Sequence, residues 1–332
     1  MHRRFAAYSH DTVGLGHLRR TLAICRHLER EVHDLSMLVL SGSPFTQAFG
    51  SQDRIDFLKL PSARKLGNGH YESRFLNLDI ASLTRMRERV IDEGLLGFQP
   101  GFLLVDKTPS GMGGELLASL RRMKASGSPT RIVLGLRDIL DDPDLVRKEW
   151  ASSREFEIIE ELYDAVWIYG AQEIFDTATE YGFPKAVAER THYLGYIPKY
   201  NGHLSPAEIR SLFGLNDDPF IVVTAGGGED GYPLVDAYLR MLAEGHGPAG
   251  FSSLIVTGPG MSPGRFREVL ERAGQLSCSV IEFTNHMTCV VSAAELVVTM
   301  GGYNTLTEAL ALKKKIVAVP RVVPRLDQHI RT

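Results

Sequence analysis

Strand-sized apolar runs alternate with amphipathic helical stretches along nearly the whole of this 332-residue chain. The spacing predicts strands at Phe5–Ser9, Leu35–Leu40, Ile55–Leu60, Phe102–Asp106, Arg131–Leu136, Ala165–Tyr169 and His192–Ile197. Helical patterns lie at Glu115–Lys124, Leu145–Tyr163 and Glu173–Tyr181. In a further helix from about His17, residues Leu18, Leu22, Cys25 and Leu28 fall on one apolar stripe. Strands separated by helices demand crossover connections, and hence a parallel sheet covered on both faces.

The polar, proline-containing stretch Ile197–Pro206 interrupts this pattern and reads as a linker. The alternation then restarts, with strands expected at Phe220–Thr224, Ser253–Thr257, Ser279–Phe283, Leu296–Met300 and Ile316–Val319. Helices are expected at Leu234–Ala243, Pro263–Ala273 and Thr305–Leu312. The expectation is therefore two Rossmann-like α/β domains, residues 1–198 and 199–332, facing each other across a cleft. Asp327–Thr332 reads as the start of a helix without a body, so the second domain is expected to lack its last elements.

Composition narrows the classes. With 37 basic and 40 acidic residues, net −3, the chain has no bulk cationic surface for nucleic acid. Its 44% apolar and 23% charged content excludes wholesale disorder. No apolar run is long enough to span a membrane as a helix, and the stretch after His2-Arg3-Arg4 is too short for a signal peptide. Cys25, Cys278 and Cys289 share no metal-ligand spacing and read as reduced, buried thiols of a cytoplasmic protein.

Three glycine clusters each follow a strand and precede a helix, where backbone N–H groups and a helix dipole receive anions. The first, Gly14-Leu-Gly16-His17, lacks the third glycine of a dinucleotide fingerprint and the Gly-Lys-Ser/Thr of a P-loop. What remains is a tight turn delivering a histidine to a helix start, which favours the neutral imidazole. The second, Gly226-Gly227-Gly228-Glu229-Asp230-Gly231, has dinucleotide spacing, but no acid ends the next strand to hold a ribose. A nicotinamide oxidoreductase is disfavoured, and a diphosphate cradle remains. Glu229 and Asp230 sit awkwardly beside a diphosphate and are expected to point away or to contact sugar hydroxyls.

The third cluster is Gly301-Gly302-Tyr303-Asn304-Thr305-Leu306-Thr307-Glu308. Thr305-x-x-Glu308 fits a helix capping box. The glycines and the Asn304 and Thr305 amides equally suit a phosphate, with Glu308 on a ribose diol, and the two roles compete for one carboxylate. Asp142-Pro143-Asp144 has the Asp-x-Asp spacing of a short metal-binding motif, but a helix start explains it better.

Together the loop ending in His17, the Gly226–Gly228 loop and Gly301-Gly-x-x-Thr-x-x-Glu308 followed by Pro320 and Asp327-Gln328 resemble GT-B glycosyltransferases, above all glycosyltransferase family 28, the family of the peptidoglycan N-acetylglucosaminyltransferase. The resemblance spans both domains. It implies a nucleotide-sugar donor, usually a uridine diphosphate sugar, with Gly226, Gly227 and Gly228 at the diphosphate. It places Phe283, Thr284 and Met287 in the base-recognition stretch, Glu308 on the ribose, and Asp327 and Gln328 on the donor sugar. It makes His17 the base that deprotonates an acceptor hydroxyl for inverting transfer. Backbone amides then take up the leaving-group charge, without a metal or a cofactor beyond the donor itself.

Gly14, Gly16, Asp106 and Ser110 fall on the acceptor side. Thr108–Gly114 is suited to acceptor contact or to supporting His17. The loop Ser62–Arg74, with Arg64, Lys65, His70 and Arg74 among Gly67 and Gly69, fits an anionic or lipid-phosphate acceptor or a solvated loop equally. The acceptor class stays open between a glycan, a lipid-linked molecule and a small molecule, and with it a peripheral contact at the inner face of a membrane. Two departures stand out: the short first loop, and Glu229-Asp230 where the family prefers small polar residues. A nucleotide-sugar 2-epimerase and a non-catalytic nucleotide-sugar-binding partner protein are the competing readings.

Overall fold

The computed structural model describes residues 3–10, 16–46, 54–66, 70–197, 204–276, 278–323 and 325–332. The chain divides into two compact units, Met1–Ile197 and Pro198–Thr332. The first runs β1 (Arg3–Ser9), α1 (Gly16–Glu31), β2 (Leu35–Ser41), β3 (Ile55–Lys59), β4 (Ala63–Lys65), β5 (Tyr71–Ser73), α2 (Ile80–Phe98), β6 (Phe102–Asp106), α3 (Leu117–Ala125), β7 (Arg131–Arg137), α4 (Pro143–Ser153), α5 (Glu155–Leu162), β8 (Ala165–Tyr169), α6 (Thr177–Glu180), α7 (Lys185–Ala188) and β9 (Thr191–Tyr193). Seven of these strands form a sheet in the order β3-β2-β1-β6-β7-β8-β9, all paired parallel.

Both faces of that sheet are buried, as parallel pairing requires. Along β1, Phe5 and Ala7 pack on one side with Leu18, Leu22 and Cys25 of α1, which confirms the predicted stripe. Ala6 and Tyr8 pack on the other side with Leu116, Leu120, Ile159 and Leu162. Burial pushes the Cys25 thiol up to about 12, so it behaves as a small hydrophobe.

The second unit runs α8 (Pro206–Phe213), β10 (Phe220–Thr224), α9 (Tyr232–Ala243), β11 (Ser252–Val256), α10 (Pro263–Ala273), β12 (Cys278–Ile281), α11 (Met287–Ala293), β13 (Leu296–Thr299), α12 (Tyr303–Ala311), β14 (Lys315–Ala318) and α13 (Asp327–Arg331). Its sheet is parallel in the order β12-β11-β10-β13-β14. Along β10, Ile221 and Val223 face one core, while Phe220 and Val222 face the other.

Four expectations need correction. The helix expected over Glu173–Tyr181 is the single turn α6, Thr177–Glu180. The helix predicted over Leu145–Tyr163 is two helices, broken at Arg154 in the left-handed region (φ 56°). On a continuous helix Trp150 and Phe156 would point about 120° apart. The break lets both rings reach Phe183, with centroids 5.9 and 5.6 Å from it. The 19-residue helix α2 was not anticipated, because its buried stripe is Leu83, Arg87, Ile91 and Leu95. An arginine interrupts the apolar period that sequence reading counts. The loop Ser62–Arg74 contains the antiparallel β4–β5 hairpin, where Arg64 lies opposite Glu72 and pairs with it. Gly67 and Gly69 lie outside the described residues.

Candidate functional site

In the first sheet β1 has β2 on one side and β6 on the other, so the strand order reverses between β1 and β6. Open parallel sheets bind ligands at the carboxyl ends of the strands at such a point. His17, on the first turn of α1, and Asp106, the last residue of β6, meet there. His17 Nδ1 is 2.5 Å from Asp106 Oδ2, and Arg20 Nη2 is 2.5 Å from Asp106 Oδ1. The two oxygens of one carboxylate are thus divided between an imidazole and a guanidinium. Asp106 and Arg20 keep only 2% of their side chains exposed, whereas His17 keeps 16%. The Arg20 guanidinium also lies over the Tyr169 ring, 5.3 Å from its centroid. Gly16 opens α1, and Gly14 lies outside the described residues.

Charge sets the protonation states. Burial opposes the ionised carboxylate, but the neighbouring Arg20 cation and the His17 hydrogen bond prevail and hold Asp106 well below the usual carboxylate range. Burial pushes His17 down to about 4, against the pull of Asp106; Lys107 and Arg20 lower it further. This shift favours the neutral imidazole expected from the sequence, with desolvation rather than the helix terminus as its leading cause. With Nδ1–H donated to Asp106, Nε2 is left as the basic nitrogen. Arg20 Nη2, 3.0 Å from Nδ1, adds a fixed positive charge that disfavours imidazolium. Arg20 was missed from sequence. Its spacing of one helical turn from His17 was the available signal.

The segment after Asp106 is tied down rather than open. Lys107 adopts a left-handed conformation (φ 76°) that non-glycine residues rarely take. Tyr163 donates its hydroxyl to the Pro109 carbonyl at 2.5 Å, and Ser110 donates to Glu155 Oε1 at 3.2 Å. Burial pushes Glu155 up to about 7. Beneath this segment Glu115 takes a two-pronged bond from Arg87, at 2.6 Å to each oxygen, and a third from the Tyr8 hydroxyl at 2.6 Å. Arg87 Nη1 reaches the Pro61 carbonyl at 2.5 Å. Ser110 and Asp106 thus serve the framework around His17. His10 stands edge-on to His17, with centroids 6.1 Å apart.

In the second unit the order reverses between β10 and β13, and the Gly226–Gly228 and Gly301–Gly302 turns follow these two strands. The glycines play different parts. Gly226 is left-handed (φ +65°) with open space where a Cβ would stand. Gly228 is buried, and a Cβ there would lie 2.5 Å from the Thr257 carbonyl and 2.6 Å from that of Gly258. Gly227 accepts the Gly260 N–H at 2.8 Å. Gly226 and Gly227 are therefore the exposed glycines, while Gly228 interlocks this turn with the one after β11.

At the second turn, Gly302 precedes α12 with open space around it, whereas a Cβ on Gly301 would strike Thr332 Cγ2 at 2.6 Å. The capping-box reading of Thr305 and Glu308 does not hold. Because α12 starts at Tyr303, Thr305 lies inside it and its amide donates to the Gly302 carbonyl at 3.1 Å. Glu308 is buried and accepts the Thr288 hydroxyl. The second unit's capping box is instead Ser205 with Glu208, at the start of α8. Thr284 is buried and accepts the His286 N–H at 3.0 Å. The Met287 side chain lies in the core with Val290 and Val291.

Asp327 and Gln328 are both buried at the start of α13. Arg321, which sequence reading missed, pairs with Asp230 and stands 3.3 Å from Asp327, while its N–H donates to Gln328 Oε1 at 3.1 Å. Asp142 caps α4 through the Leu145 N–H, and Asp144 pairs with Arg147 at 2.5 Å, so this acidic pair belongs to the helix start. Among the described residues no group of three or more His, Cys, Asp or Glu is placed to hold a metal. No helix among them is long and apolar enough to cross a membrane.

Residues 234–327 match the glycosyltransferase family 28 C-terminal domain. No curated protein matches the chain in sequence. Solved structures resemble it over nearly its full length. A UGT transferase from Siraitia grosvenorii in complex with UDP is 15% identical, with 99% of this chain and 83% of that one covered at a TM-score of 0.60. A UDP-glucose:anthocyanidin 3-O-glucosyltransferase in complex with UDP is 14% identical, with 100% and 83% covered at 0.61. Acinetobacter baumannii MurG is 12% identical, with 99% and 81% covered at 0.56. The chain has the GT-B glycosyltransferase fold, and its second unit carries the family 28 C-terminal domain.

Proposed function

We propose that the chain is a glycosyltransferase that moves a hexose from a uridine diphosphate sugar to an acceptor hydroxyl with inversion. The observation that carries this reading is the His17–Asp106 contact of 2.5 Å at the β1/β6 reversal. It supplies a neutral imidazole whose Nδ1 proton is held by a buried carboxylate, leaving Nε2 to remove the acceptor proton as the hydroxyl attacks the anomeric carbon. The Gly226–Gly227 turn and the start of α12 offer backbone amides for the departing diphosphate, so the reading requires no metal. The UDP bound by two of the similar structures supports this donor class.

We further propose a lipid-linked or apolar acceptor met at a membrane surface. Phe75, Leu76, Leu78, Ile80 and Met86 are all exposed, with the exposed Arg85 among them in sequence and the exposed Arg74 and Arg89 on either side. Vesicles containing anionic lipid should bind the chain and release it on Phe75→Ser/Leu78→Ser substitution. Equal binding by the variant would remove this support.

The decisive assay follows UDP release and sugar product from UDP-GlcNAc and UDP-glucose, with and without acceptor extracts. Transfer abolished by His17→Ala supports the reading. A 2-epimerised sugar formed without acceptor would replace it with an epimerase. UDP at about 100 times its dissociation constant should add about 2.7 kcal/mol of stability. Undiminished UDP binding with no turnover would leave a binding protein.

A further inference from the structure

We propose that Arg321 is the positioning residue that allows the 226–231 turn to receive a diphosphate, by neutralising Asp230 and holding Asp327 beside it. The inference rests on the donor reading above and deepens it. The turn that presents Gly226 and Gly227 continues directly into two carboxylates, Glu229 and Asp230. An unpaired carboxylate at Asp230, two residues beyond Gly228, opposes any dianion held by the turn.

The structure answers this conflict with a cation from far along the chain. Arg321 Nη1 pairs with Asp230 Oδ2 and its Nη2 lies 3.3 Å from Asp327 Oδ1, while the backbone N–H of residue 321 donates to Gln328 Oε1 at 3.1 Å. Arg331 faces the other Asp327 oxygen at 3.6 Å and donates to the Gly301 carbonyl at 3.2 Å. Two carboxylates are thus matched by two guanidiniums. One arginine ties the first glycine turn to α13, and the other ties α13 to the second. Arg321 is 26% exposed, so its pair with Asp230 is only partly screened by solvent.

The test is calorimetric titration of the full chain with UDP and with uridine, which lacks the phosphates. The variants are Arg321→Met, Asp230→Asn and the double substitution. Arg321→Met should weaken UDP binding by about tenfold or more, as expected for exposing a nearby like charge, while uridine binding changes little. Adding Asp230→Asn should restore UDP affinity to within about threefold of the wild type. Asp230→Asn alone should bind UDP as tightly or more tightly, which keeps the idea testable if Arg321→Met does not fold.

UDP affinity unchanged in Arg321→Met overturns the proposal. Loss without rescue in the double variant also overturns it, because the Asp230 charge would then not be what Arg321 offsets. Weaker UDP binding by Asp230→Asn overturns it as well. A wild-type chain that binds no UDP overturns the donor reading itself, an outcome distinct from the other three.

Discussion

His17 and Asp106 are separated by 89 positions in the chain and by 2.5 Å in space. The contact exists because parallel pairing places the carboxyl end of β6 beside that of β1, which leads into α1. Replacing Asp106 with Asn should lower turnover by about 10²- to 10⁴-fold with little change in donor affinity, because the ring then loses its anchored tautomer. Single-turnover rates set beside UDP binding check this. Equal loss of both would make Asp106 a folding residue.

The low His17 value has a pH consequence. Its neutral form persists down to about 4, so the rate of proton removal should stay level from pH 8 to about pH 5. Glu155, near 7, titrates within this range and must be removed from the comparison with Glu155→Gln. An acid limb at pH 6–7 that survives in that variant would mean His17 is not desolvated as described.

Glu155 itself predicts a stability profile. Its folded value of about 7 lies above its ordinary 4.5, so folding favours the protonated form. Its stabilising contribution is complete below 4.5 and disappears as pH rises through about 7. Glu155→Gln should therefore gain on the wild type between pH 5 and pH 8, by up to about 3 kcal/mol. Urea titrations at the two pH values measure it. A constant difference between the proteins would contradict it.

The Arg87–Glu115 pair is almost fully buried on both sides. Arg87→Met alone leaves a buried carboxylate with Tyr8 as its remaining side-chain partner among the described residues, and should cost about 3–5 kcal/mol. Arg87→Met/Glu115→Leu should cost clearly less than the two single changes summed. Additive losses in denaturant titration would show that the pair is not coupled.

The glycines of the second unit should separate by role. Gly228→Ala drives a methyl into the Thr257 and Gly258 carbonyls and should destabilise by several times more than Gly226→Ala, which meets only the left-handed penalty of about 1–2 kcal/mol. Gly264→Ala, in open space within α10, serves as the reference and should be neutral or mildly stabilising. Thermal melts decide the order, and equal losses at 226 and 228 would refute the interlock.

The sequence alone determined the alternating α/β architecture, most strands to within a residue or two, the stripe of α1 and the glycine turns after β10 and β13. These features depend on neighbours within a turn or a strand, and local periodicity records them. Only the tertiary structure decided that Arg20 joins His17 on Asp106, that Glu308 takes Thr288 rather than capping α12, and that Arg321 reaches Asp230 from 91 positions away. It also decided that Arg87, which breaks the apolar stripe of α2, belongs inside with Glu115. Such pairs form because sheet order sets strand ends side by side, and a charge buried there is stable only beside its partner. No local pattern carries that information, since each partner's neighbours in sequence are unaware of the strand that will lie next to it.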